Sequence, residues 1–155
     1  MSVLVTGGAG YIGSHMVLEL LDAGESVVVV DNLSTGFEWA VAPQAELIVG
    51  DVGDDDLIRQ VIRQRNVSAI IHFAGSVVVP DSVVDPLAYY LNNTVKSRAL
   101  IESAIKTGVQ QFIFSSTAAV YGNPQESPVS ETADPAPLSP YGWSKLMTEI
   151  MLRHT

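Results

Sequence analysis

The chain contains no cysteine. That excludes a disulfide framework, thiol catalysis and cysteine-ligated metal. Basic residues are scarce: eight Lys and Arg stand against seventeen Asp and Glu, for a formal net charge of -9. An acidic chain without a basic run is a poor match for a phosphate backbone, so nucleic acid is not an expected partner. No apolar run approaches the ~20 residues that span a bilayer. No basic-then-apolar leader precedes the first strand. The expectation is a soluble, cytoplasmic protein with no membrane partner. The three histidines are scattered without paired spacing, so no metal site is expected. What remains is 47% hydrophobic and 16% charged over 155 residues, the size and composition of one globular domain.

Short β-branched runs alternate with helical patterns. Val3-Leu4-Val5, Ser26 to Val30, Glu46 to Val49, Ala69 to Phe73 and Gln111 to Ser115 read as strands. Helices are expected from about Tyr11 to Ala23, from the acidic run after Asp51 to near Asn66, and from Val83 to Lys106. Gly24 and Gly108 end the first and third of these. The strands lack period-2 alternation, as expected when both faces of a parallel sheet are buried. The fold class is therefore α/β, a Rossmann-type doubly wound parallel sheet. Residues 1–155 are read as its cofactor-binding part. Five strands and a helix fall one strand short of the second half, so a longer parent protein is expected. From Tyr121 to Ser139 the pattern breaks, and five of the eight prolines lie between Pro124 and Pro140. Ser139-Pro140 then has the form of an N-cap with proline at the first helical position.

The stretch TGGAGYIGSH follows the first strand and opens the first helix. Gly7, Gly10 and Gly13 fit G-x-x-G-x-x-G, while Gly8, Gly10 and Gly13 fit G-x-G-x-x-G. In both patterns glycines allow a pyrophosphate to approach the backbone, and the helix beginning at about Tyr11 points its free N–H groups at the phosphates. Asp31 ends the second strand eighteen residues after Gly13. There it can accept from adenosine ribose hydroxyls, and it favours NAD over NADP by repelling a 2′-phosphate. Asp51 ends the third strand at the same sheet edge, within reach of an adenine amino group or as a helix cap. His72 reads as a packed strand histidine, and the small residues after it would let a cofactor lie across the strand ends.

SPYGWSK places Tyr141 and Lys145 four apart, on one face of a helix. An ammonium beside a phenol favours the phenolate, which suits a general base near neutral pH. Ser115, Ser116 and Thr117 supply hydroxyls just past the fifth strand, for the oxygen of an alcohol or ketone.

VTGGAGYIGSH, DNLS, GDV, IHFAG, DPLAYYLNNT, FIFSSTAAVYG and SPYGWSKLMTE together resemble the extended short-chain dehydrogenase/reductases over essentially the whole chain, and within them the nucleotide-sugar 4-epimerase branch. The resemblance implies NAD held at Gly7, Gly10, Tyr11, Ile12, Gly13, Asp31, Asn32, Ser34, Thr35, Asp51, Val52, Phe73, Ala74, Gly75, Asn92 and Ser115, with Tyr141 and Lys145. It implies Tyr141 as catalytic base, Lys145 as its tuning group and Thr117 as partner near the sugar 4-hydroxyl. The implied reaction is epimerisation at C4 of a UDP-hexose (UDP-galactose/UDP-glucose) through a transient 4-keto sugar. The implied assembly is a homodimer, the helices of Val83–Lys106 and Tyr141–Arg153 forming a four-helix bundle.

Val77 and Trp143 stand where members of that branch commonly carry lysine. The family's substrate-binding half lies outside this sequence, so the chain alone is not expected to turn over. A 4,6-dehydratase would carry Asp-Glu after the threonine, whereas Ala118-Ala119 follow Thr117. A uronate epimerase, a sugar reductase and a non-catalytic NAD-binding module are the other readings.

Overall fold

The computed structural model describes all residues from Met1 to Thr155. Five strands, β1 (Ser2–Thr6), β2 (Ser26–Asp31), β3 (Glu46–Val49), β4 (Ala69–His72) and β5 (Gln111–Phe114), form one parallel sheet in the order β3-β2-β1-β4-β5. Helices α1 (Tyr11–Asp22), α2 (Asp55–Gln64), α3 (Val79–Val84), α4 (Pro86–Tyr90), α5 (Lys96–Thr107) and α6 (Pro140–Arg153) complete the regular structure. This strand order is that of the expected Rossmann-type fold. The chain divides into two compact units, Met1–Ala74 with Ala99–Ser115, and Gly75–Arg98 with Ser116–Thr155.

The first unit holds the whole sheet. Leu4 pairs in register with Val28 and with Ile70, so these side chains share one face. They pack with Ile58, Val61 and Ile62 of α2 and with Leu100 and Ala104 of α5. Val3, Val5, Val27, Val29, Ala69 and Ile71 alternate to the other face, against Met16, Val17, Leu20 and Leu21 of α1. Burial on both faces explains the unbroken apolar runs. Leu4, Ile58, Ile70 and Leu100 are fully buried, each contributing roughly 1.5–3 kcal/mol. The cap of α2 falls on Asp54, whose Oδ1 accepts from Leu57 N at 3.1 Å. Gly24 and Gly108 end α1 and α5 at φ 82° and 78°.

In the second unit the single helix expected from Val83 to Lys106 is absent. Pro86 disfavours helical backbone at the residue before it, and Asp85 sits at φ -133°, ψ 79°. Asp85 instead caps α4, its Oδ1 accepting from Ala88 N at 3.1 Å. Between α4 and α5 the chain makes a π-turn, Leu91–Val95. The Asn93 carbonyl there accepts from Ser97 Oγ at 2.7 Å and from Thr148 Oγ1 at 3.1 Å. A 3-10 turn, Ala118–Tyr121, precedes the proline-rich segment. The α6 cap is as the sequence implies, Ser139 Oγ accepting from Gly142 N at 3.1 Å.

Candidate functional site

In the first unit, the glycine loop joins β1 to α1. Gly7 has φ 72°, and a Cβ there would stand 2.6 Å from Ala74 N. Ala74 and Phe73 are held at that position because both donate their N–H to the Thr6 carbonyl, at 3.1 and 3.0 Å. A Cβ on Gly13 would lie 2.2 Å from the Gly7 oxygen, so α1 packs against the loop backbone itself. Gly10 differs: its Cβ would meet only the Gly7 oxygen, at 3.3 Å. The fold therefore demands Gly7 and Gly13, whereas Gly10 leaves room above the loop. Gly10 is also the N-cap of α1 and brings no side chain to cap it. The first N–H groups of a helix have no intrahelical acceptor, so this end offers donors and a partial positive charge to an anion. Tyr11 and Ile12, 82% and 60% exposed, flank that opening.

Asp31 is buried beside the loop. Its Oδ2 accepts from Ala9 N at 3.0 Å and its Oδ1 from Leu33 N at 2.9 Å. A carboxylate has about four lone-pair sites, so Asp31 braces the loop and keeps capacity for ligand hydroxyls. Asn32 Oδ1 accepts from Ser34 N at 3.0 Å, and Ser34 and Thr35 are exposed in the same turn. Asp51 Oδ1 accepts from Gly53 N at 2.8 Å, while Val52 is part of the core. His72 is fully buried, its Nδ1 2.6 Å from Thr6 Oγ1 and its ring stacked on Phe114 at 5.6 Å. The Ser115 N–H donates to the His72 carbonyl at 3.1 Å.

Thr117, Tyr141, Lys145, Gly75 and Asn92 belong to the second unit. Tyr141 and Lys145 lie one turn apart at the start of α6, 8% and 4% exposed. Burial pulls the Lys145 ammonium down from 10.5 to about 8. A Cβ at Gly75 would stand 3.0 Å from Asn93 Oδ1 and 3.7 Å from Lys145 Nζ, so this glycine lets both side chains approach the backbone. Thr117 Oγ1 accepts from Ala119 N at 3.2 Å and caps the 3-10 turn.

Sequence reasoning missed the residue that joins these parts. Asn93, 2% exposed, accepts from Ser76 N at 2.7 Å and donates to the Ser76 carbonyl at 2.9 Å. It also donates to Ser144 Oγ at 3.1 Å, and Ser144 lies between Tyr141 and Lys145. Its neighbour Asn92 donates to Ser76 Oγ at 2.9 Å. Tyr89, one turn earlier, donates to the Val78 carbonyl at 2.6 Å. Burial raises the Tyr89 phenol above its ordinary value, with the Asp81 carboxylate adding to the effect. Three side chains from one stretch of helix thus hold Ser76–Val78. The available signal was the Asn-Asn pair itself. No three His, Asp or Glu side chains converge as a metal-binding group, and no helix is long and apolar enough to cross a membrane.

The model of the NAD dependent epimerase/dehydratase family matches residues 3–155. The UDP-glucose 4-epimerase of Azospirillum brasilense is 52% identical over 97% of this chain and 43% of its own length. The UDP-glucose 4-epimerase from Brucella ovis in complex with NAD aligns with a TM-score of 0.96 at 41% identity, over 99% of this chain and 47% of that one. The enzyme from Bifidobacterium longum, in complex with NAD+ and UDP, aligns at 0.95 and 39% identity, over 99% and 48%. The chain spans about half the length of the relatives it matches. A match over nearly all of its residues, together with a glycine loop that opens onto a helix N-terminus and a buried Tyr-Lys pair on one helix, places the chain in the NAD dependent epimerase/dehydratase family.

Proposed function

We propose that this chain supplies the NAD-binding and proton-transferring half of a UDP-hexose 4-epimerase. The observation that carries the reading is the buried Tyr141 and Lys145, one turn apart on α6 in a chain 52% identical to such an enzyme. The room above Gly10 and the uncapped start of α1 fit a pyrophosphate. Asp31 and Asn32 would take the adenosine ribose, with Ser34 and Thr35 beside them, and Asp51 and Val52 the adenine. Phe73, Ala74, Gly75, Asn92 and Ser115 would complete the cofactor site, with Lys145 on the nicotinamide ribose. NAD, when bound, accepts the hydride from the sugar C4 and later returns it.

Tyr141 takes the proton of the sugar 4-hydroxyl and returns it to the 4-keto oxygen after the sugar turns its other face. Thr117 donates a hydrogen bond to the same oxygen. Lys145 at about 8 remains largely charged at neutral pH and supplies the positive field beside the phenol. The test is native mass spectrometry of the chain with the released ligand identified, and conversion of UDP-galactose to UDP-glucose by the full-length protein. Bound NAD, and turnover abolished by Tyr141→Phe, support the reading. A Tyr141→Phe protein with unchanged turnover refutes it.

We also propose that two copies associate through this unit. Val84, Leu87, Leu91 and Val95, spread over α3, α4 and the π-turn, are exposed, as are Trp143, Met147 and Ile150 on α6. Trp143 in place of a lysine adds apolar area to that face. Light scattering of the purified chain decides: a dimer supports the proposal, and a monomer at all concentrations overturns it.

A further inference from the structure

Two residues of the quoted motifs have no role in the reading above: Ser116, next to Thr117, and Glu149, at the end of SPYGWSKLMTE. The structure joins them. Ser116 Oγ donates to the Glu149 carboxylate across 33 residues of sequence. Glu149 lies eight residues after Tyr141 and four after Lys145 on α6, so the three lie along one stripe. We infer that Glu149 is a positioning residue that sets the direction of the Thr117 hydroxyl relative to Tyr141.

Thr117 is extended, at φ -155°, ψ 146°. Neighbouring side chains on extended backbone point to opposite sides, so anchoring Ser116 fixes the side on which the Thr117 side chain leaves and keeps its Oγ1 within reach of Ala119 N. A second attachment lies just beyond. A Cβ on Gly142 would stand 2.8 Å from the Ala119 carbonyl oxygen, so the start of α6 lies against the 3-10 turn. Two attachments, Glu149 on Ser116 and Gly142 on Ala119, bracket Thr117 and tie it to the same helix that carries Tyr141. A half-buried carboxylate also needs such a donor, because burying it unpaired is unfavourable.

This inference rests on the proposed roles of Thr117 and Tyr141, and its test separates the two. Thr117 χ1 is read from three-bond scalar couplings in the 155-residue chain, which requires no turnover. A single rotamer is expected in the native chain, averaging in Glu149→Ala and in Ser116→Ala, and a single rotamer again in Glu149→Gln, whose amide oxygen still accepts. In the intact protein, kcat on UDP-galactose is expected to fall about 10- to 100-fold in Glu149→Ala with KM little changed, since misplacement by about 1 Å has effects of this size. Glu149→Gln is expected to restore most of it. An unaveraged Thr117 in Glu149→Ala overturns the inference, and so does a kcat loss that Glu149→Gln does not rescue. Absence of turnover in the native protein would refute the epimerase reading instead, leaving the rotamer measurement to decide the role of Glu149.

Discussion

The stability difference between the cofactor-free chain and its Lys145→Met variant should move in favour of lysine as pH rises. Lys145 is 4% exposed, and burial holds its ammonium at about 8 rather than 10.5. At about 1.4 kcal/mol per decade, that gap amounts to about 3 kcal/mol of destabilisation from burying the charge. Below pH 8 the lysine is protonated in both folded and unfolded chains, so the full penalty is present. Between 8 and 10.5 the folded chain holds the neutral amine while the unfolded chain stays protonated, so stability rises with pH. Above 10.5 both are neutral and the penalty is gone. Methionine is unbranched, uncharged and one heavy atom shorter, and the other titrating groups cancel in the comparison. Urea denaturation of both chains between pH 6.5 and 9.5 should show their stability difference shift by about 2 kcal/mol in favour of lysine. A difference that stays flat across that range would mean the ammonium is not desolvated in the fold, and the account of Lys145 would fail.

The glycine loop separates fold from ligand. Gly13→Ala places a Cβ 2.2 Å from the Gly7 oxygen and should destabilise the chain by about 2–3 kcal/mol in denaturant titration. Gly10→Ala should alter stability by less than about 1 kcal/mol yet weaken NAD binding in calorimetry by at least about tenfold, as a methyl group enters the phosphate's space. Asn93→Ala removes three hydrogen bonds inside the second unit and should lower its stability by about 3 kcal/mol, read as loss of amide protection at Ser76. Leu87→Glu, at a residue 77% exposed, should leave the thermal midpoint of an isolated copy unchanged and abolish association in light scattering. Equal association would place the interface elsewhere.

The sheet was legible because its signals are local. Each strand is a short β-branched run, and the residues that end elements are those whose backbone demands are strongest: Gly24 and Gly108 in left-handed conformations, Pro140 behind Ser139. The two buried faces follow from residue parity once the strands are named, since Leu4, Val28 and Ile70 must share a side when their register is parallel. Tyr141 and Lys145 were legible for the same reason, as a pair one helical turn apart. The break at Asp85 was signalled by Pro86, but the apolar spacing of Val83, Val84, Leu87 and Leu91 runs through it and reads as one helix. Local chemistry decided against periodicity there, with Asp85 Oδ1 capping the new start.

The remaining features depend on pairs far apart in the chain, which spacing rules do not reach. Asn92 and Asn93 are adjacent and chemically identical, so nothing local says which is buried. The π-turn Leu91–Val95 decides it. A π-turn takes in one more residue than a regular turn, and the Asn93 carbonyl within it accepts from the hydroxyls of Ser97 and Thr148. Its side chain is then held between Ser76 and Ser144. Asn92 is part-buried and donates to Ser76 Oγ. The two asparagines therefore differ in what they can do: a group with its hydrogen bonds committed on three sides fixes geometry, while one with spare capacity can meet a ligand. The same distinction separates Ser116, committed to Glu149, from Thr117, whose hydroxyl proton is still to be donated.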